Sequence, residues 1–434
     1  MMYETRDHAR TTSPAARLRP RIVPRSIRSP RSLRDSLFAL GILFFAFPLL
    51  APAINDTVIY PYIFLGVALL PSLRLTPRHF CIFVAAASLL GVSCLFDLSA
   101  SVRIVAFYVS CLFLCRLLND DWYRELLFKA ACAHAMIVIV QFTLLFIDVE
   151  IDFSVILRAI YGPLLPGTGS HIDYNAFSQL DFYFPRVAGL NREPAFAAVL
   201  FLGFCVISLI ERRFARSLLF AAATICSLSK IVVVLLPVYL MMMISTRIMG
   251  RQTGGAVASR FVLFIASQFL VLAAIGLFSE LIRELAALDA SFYHRFIGLV
   301  TLATEPEKFN LLGSSWASLS KLGDLSDYEF VNFQRGFFDG SVVPKMITDF
   351  GYLSALVYAM TVAVLARNWV CVLAVSFGGI FVNLLSVSPA TVLTFVMLCG
   401  LGYRVPPRAT QAAVRRRRLA APPPVLATMV IDKR

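Results

Sequence analysis

Residues Phe214 to Ile244 form a nearly unbroken apolar run, with Glu211-Arg212-Arg213 and Arg216 at one end and Arg247 at the other. As one helix the run would reach about 45 Å, well beyond a bilayer core of about 30 Å. Both flanks are basic, and basic flanks belong on the cytoplasmic side of a membrane. Only a hairpin meets both conditions, with its turn at Ser227–Lys230. Each arm is then short, so the turn is expected below the outer membrane surface, with Lys230 at the floor of an externally open cavity.

Apolar windows long enough to span recur along the chain. They fall near 36–53, 58–73, 79–96, 101–118, 126–147, 194–210, 214–228, 230–246, 260–279, 350–366, 368–386 and 389–403. The expected fold is an all-α polytopic membrane protein of about twelve transmembrane helices. Composition agrees: the 434 residues are 59% hydrophobic and only 15% charged, against roughly 25% charged in a soluble domain.

The charges set the orientation. Arginine occupies each of the connections Arg74–His79, Arg116–Glu125, Glu211–Arg216, Arg247–Arg260 and Arg367-Asn368, whereas Asn55-Asp56, Asp97–Ser99 and Ser386–Ser388 hold no basic residue. The first set is expected inside and the second outside, with both termini cytoplasmic. Residues 1–35, with nine arginines from Arg6 to Arg34, read as a disordered tail. Residues 36–403 are expected to form the transmembrane domain, and 404–434 a basic, proline-rich cytoplasmic tail. The net charge of +14 flanks the spans, which argues against a nucleic-acid partner. All nine cysteines fall in predicted spans and there is no CxxC or HExxH spacing, so neither a disulfide framework nor a metal site is expected.

The polar chemistry gathers in two expected outer loops, about 148–193 and 280–349. Loops this long are usually functional. In the first, Ile156–Leu165 suits an amphipathic helix in the interface, and Gly167-Thr-Gly-Ser170 reads as a flexible turn. The loop ends in Arg186-Val-Ala-Gly-Leu-Asn-Arg-Glu-Pro194, opening directly onto a span. Pro194 suits the first helical turn, where Glu193 would be stabilised as a cap. Arg192, on the outer side against the topological rule, either pairs with Glu193 or grips an anion, for which a planar guanidinium fork is well shaped.

In the second loop most charges, Lys345 among them, read as solvated surface. Arg295 and Arg335 stand out because each is set among aromatics, in Phe292-Tyr-His-Arg-Phe296 and Phe333-Gln-Arg-Gly-Phe337-Phe338. Such settings suit sugar faces and phosphates together, and equally a membrane-interface belt. His294 reads as an interfacial histidine or a proton carrier.

Taken together, Arg186-x-x-Gly189-x-x-Arg192-Glu193-Pro194, Leu228-Ser229-Lys230, Gly313-Ser314-Ser315 and Gly351-Tyr-Leu resemble the O-antigen polymerase and O-antigen ligase superfamily. The resemblance covers roughly 180–360, plus span count and loop order. Two departures are present: Ala195 replaces a serine of the first motif, and Gly340-Ser341 stands where ligases carry a histidine. The missing histidine argues against the ligase branch.

The resemblance implies a GT-C-like architecture with two large periplasmic loops in a bacterial inner membrane. It also implies a metal-independent, cofactor-free glycosyltransferase, a polysaccharide polymerase acting on an undecaprenyl diphosphate-linked oligosaccharide. Arg186, Arg192, Lys230 and Arg295 would stabilise the diphosphate leaving group, with Ser229 and His294 beside them. Arg335 would hold the acceptor's phosphates. Glu193, Asp339 or Asp349 would serve as the base, Glu193 first. Membrane lipid and a chain-length regulator are the implied partners. The alternatives are a ligase of the same superfamily and a lipid-linked oligosaccharide flippase. A transporter should show matching halves and polar mid-span groups, and this sequence shows neither.

Overall fold

The computed structural model describes residues 33–54, 57–69, 77–93, 98–151, 153, 172–173, 186–191, 193–249, 256–288, 290–312 and 340–401. Among these, the chain is a bundle of apolar helices embedded in a membrane. Ser101–Asn119, Asp121–Leu145 and Val257–Leu277 are each long and apolar enough to cross one, and eight shorter apolar helices accompany them. Helical backbone satisfies its own polar groups, which lipid cannot do.

In chain order the helices are α1 (Leu33–Ala46), α2 (Pro61–Leu69), α3 (Pro77–Ser93), α4 (Leu98–Asn119), α5 (Asp121–Leu145), α6 (Pro194–Ile210), α7 (Phe214–Cys226) and α8 (Lys230–Met249). There follow α9 (Val257–Leu277), α10 (Ser279–Leu288), α11 (Ala290–Thr304), α12 (Val342–Phe350), α13 (Tyr352–Leu365), α14 (Trp369–Phe381) and α15 (Pro389–Leu398). Every window expected to span contains one of these helices. Capping sets several starts: Asp120 accepts from Trp122 N at α5, Asn368 from Cys371 N at α14, and Ser388 from Thr391 N at α15.

The 214–244 run is broken at the turn expected from sequence, and its two arms each pack against α6 rather than closely against one another. α7 ends at Cys226 and α8 begins at Lys230, with Leu228 held at φ +42° between them. The 13 residues of α7 reach only about 20 Å, so this arm is short of a full crossing.

The second expected outer loop differs from its sequence reading. Residues Ser279–Leu288 and Ala290–Thr304 form the paired helices α10 and α11, and Val342–Phe350 forms α12. α11 buries Ile297, Leu299, Val300 and Leu302, and packs against α9 and α14. Its apolar stretch is too short to register in a window sized for a bilayer, yet long enough to dock on neighbouring helices.

One end of the bundle is tied by ion pairs. Arg124 of α5 bonds Glu211 at the end of α6 and donates to the Leu118 carbonyl at 2.8 Å. Glu125 receives Arg216 at 3.1 Å and lies 3.4 Å from Arg213, while Arg116 meets Asp120 at 3.6 Å. Tyr123 donates to Asp35 of α1 at 2.7 Å. These residues all belong to segments that the charge pattern assigns to the inside.

Candidate functional site

At the opposite end lies a cavity of about 450 Å³. It is reached by the first turns of α6, α8 and α15, the early part of α4, the last residues of α14, and by α11 and α12. Its charged walls are Arg103, Arg295, Lys345 and Glu193. Three cations therefore face the same space as one carboxylate. Asn383, Ser386 and Thr391 add a polar wall, and Ile104, Phe196, Val199, Ile231, Met346 and Phe350 an apolar one. Helix N-termini carry partial positive charge, so the three that converge here act in the same direction as the cations.

Glu193 is the N-cap residue of α6, with Pro194 in the first helical position. Its side chain makes no capping hydrogen bond and instead lines the cavity. The backbone thus takes the cap position expected from sequence, and the side chain is part of the cavity wall. Arg295 lies on α11 and faces the same space. Ser341 is buried with Oγ 2.6 Å from the Arg295 carbonyl and 2.7 Å from that of Ile380. Its hydroxyl proton is shared between the two, tying α12 to α11 and α14.

The Gly189 turn is fixed from below by α5. Gly189 sits at φ +60°, and a Cβ there would lie 2.4 Å from Val138 Cγ2 and 3.0 Å from His134 Nε2. Only glycine fits so close an approach at that backbone angle. Arg186 is in strand β2 (Arg186–Val187), which pairs antiparallel with β1 (Ile172–Asp173) and sets Arg186 opposite Asp173. It is not in the cavity wall. Gly351, at φ +83°, permits a similar approach: a Cβ would stand 2.6 Å from the Leu311 carbonyl oxygen.

Ser229 is buried in the α7–α8 turn and Lys230 is exposed at the head of α8. Their neighbour Ile231 lines the cavity, whereas Ser229 and Lys230 do not, so Lys230 is not at the cavity floor where the sequence reading put it. Asp349 and His294 belong to α12 and α11, next to the cavity residues Phe350 and Arg295, but their side chains lie outside the described residues. Arg192, Arg335 and Asp339 lie wholly outside them, as do Ile156–Leu165, the Gly167–Ser170 turn and Gly313-Ser314-Ser315.

Sequence reasoning missed Arg103, Lys345, Asn383, His134 and Gln141. A signal existed for Arg103. It follows the outer turn Asp97–Ser99 by a few residues, so it breaks the positive-inside pattern as Arg192 does. Lys345 gave no such signal, because a lysine in a charged loop looks like solvated surface.

No family model, curated protein or solved structure matches the chain.

Proposed function

We propose that this chain is a polysaccharide polymerase with about twelve spans in a bacterial inner membrane. It transfers a glycan from an undecaprenyl diphosphate carrier to the sugar end of another lipid-linked repeat unit on the outer face. The observation that supports this reading is the cavity. It offers three cations and three helix N-termini beside one carboxylate, over partly apolar walls, at the end of the bundle that the charge pattern places outside.

Such a site suits a reaction whose leaving group is a diphosphate. The acceptor hydroxyl oxygen attacks the anomeric carbon of the donor glycan and forms the new glycosidic bond. The bond from that carbon to the diphosphate oxygen breaks, and the diphosphate leaves with the electron pair. Arg103, Arg295 and Lys345 stabilise that charge where it develops, which is the most effective place for fixed cations. Glu193 takes the hydroxyl proton. Asp349, one helical turn beyond Lys345 on α12, remains the second candidate base.

The test is mass spectrometry of lipid-linked glycans from a host with the gene deleted. Single repeat units stranded on the carrier, restored to polymer by the wild-type gene and not by Glu193→Gln at equal protein level, support the reading. Full-length polymer stranded on the carrier would instead mean a ligase. Units confined to the cytoplasmic face would mean a flippase and would remove Glu193 from any transfer step.

A further inference from the structure

Three and four residues before Glu193, the chain is clipped to the second half of α5 by two buried side chains. Gln141 accepts the Gly189 N–H at 2.9 Å and donates to the Ile151 carbonyl at 2.8 Å. His134, two helical turns earlier and wholly buried, bridges two elements. Its Nδ1 stands 2.7 Å from the carbonyl oxygen of Ala46, the last residue of α1, and its Nε2 stands 3.0 Å from the Leu190 N–H.

The partners dictate the tautomer. A carbonyl can only accept, so Nδ1 carries the proton. An amide N–H can only donate, so Nε2 does not. On these two bonds the ring is the neutral Nδ1–H form, with the Ala188 carbonyl as a further neighbour. Phe201 meets it edge-on at 4.9 Å and Phe47 lies tilted at 5.5 Å, which leaves little room for another orientation. The Leu190 carbonyl in turn accepts from Leu49 N at 2.8 Å, so both backbone groups of Leu190 are held from below.

We infer that His134 is the positioning residue for the Glu193 arm: its Nε2 fixes the Leu190 amide, and that anchor aims Glu193 and the head of α6 into the cavity. The inference rests on the reading of the cavity as the reaction site only for its consequence on activity. The clip itself is a statement about two atoms, and those can be tested separately.

Two conservative substitutions split the two bonds of the ring. In His134→Asn the amide nitrogen overlays Nδ1, so the bond to Ala46 is kept and the one to Leu190 is lost. In His134→Gln the amide oxygen overlays Nε2, so the Leu190 bond is kept and the Ala46 bond is lost. The measurement is hydrogen–deuterium exchange of the full-length protein in detergent, read on fragments covering Gly189 and Leu190, together with polymer formed per unit protein in membranes.

His134→Asn is expected to raise exchange at Leu190 by about tenfold and lower polymer formation by a similar factor, while His134→Gln changes either by less than about threefold. A residue that only packs α5 against α1 would give the opposite ranking or equal effects. Equal exchange in the two variants therefore overturns the proposal. The expected exchange difference with full polymer formation in both variants confirms the anchor and overturns its role in aiming Glu193. It also marks the failure as one of the catalytic reading and not of the clip.

Discussion

The two ends of this bundle use similar residues to opposite ends. At the paired end, Arg124, Arg213 and Arg216 meet Glu211 and Glu125. At the cavity end, Arg103, Arg295, Lys345 and Glu193 line one space among the described residues. Ion pairs between helices hold them in register, whereas charges that border an open space also act on whatever enters it. On the proposed reading the first is a structural use of arginine and the second a binding use, although the residues are equally visible in the sequence.

The largest expected effect breaks the paired end. The side chains of Arg124 and Glu211 are only 10% and 13% exposed. Removing one partner strands the other charge, so Arg124→Ala is expected to destabilise the protein by about 3 kcal/mol. Denaturant titration in detergent measures this. The double replacement Arg124→Met with Glu211→Leu should recover most of the loss, because no charge is then left without its partner. A double variant as unstable as the single one would mean that shape, and not charge matching, holds this end.

The next effect breaks the cavity end and should leave stability alone. Arg295→Ala and Arg103→Ala are each expected to lower polymer formation by about 100-fold, the scale for losing one fixed group that stabilises developing charge. Their unfolding midpoints should stay near wild type. If polymer forms at the wild-type rate in both, the cation cluster is incidental and the contrast between the ends collapses.

The span pattern was legible because it rests on two strong rules, the length of an apolar helix and the side on which arginine falls. The break between α7 and α8 followed from those rules alone. Helices α10 to α12 did not. Their apolar stretches are shorter than a bilayer and bury themselves against α9, α13 and α14, information that lies in the tertiary packing. The site divides in the same way. Glu193 and Arg295 announced themselves through a helix start and an aromatic setting. His134 could not, since a histidine within an apolar helix gives no hint that its two nitrogens face Ala46 and Leu190.

The arm between the ends gives a smaller effect. Gly189→Ala places a Cβ against Val138 and His134 at a positive φ, at an expected cost of about 2 kcal/mol. Thermal unfolding in detergent measures it. Gly91→Ala is the control, since a Cβ there meets nothing within 4 Å, and it should be neutral. A neutral Gly189→Ala would show that the turn relaxes away from α5 at little cost.

The smallest effect sharpens the comparison most. Glu125 faces both Arg213 and Arg216, but its side chain is 38% exposed and that of Arg213 is 50% exposed. Exposed pairs are worth little, so Glu125→Gln should change stability by about 0.5 kcal/mol and leave polymer formation unchanged. The second half of that statement is the stringent one. α4 carries Arg103 near one end and Arg116 near the other, and α6 runs from Glu193 to Ile210, directly before Glu211. The two ends are therefore joined by continuous helices, and a shift at one could travel to the other. Independence requires that the dense packing between them, where Phe128, Phe204 and Phe220 interlock, absorbs the change. A fall in polymer formation larger than the stability change explains would show that α6 transmits the state of the paired end to Glu193, and the two ends would have to be read as one device.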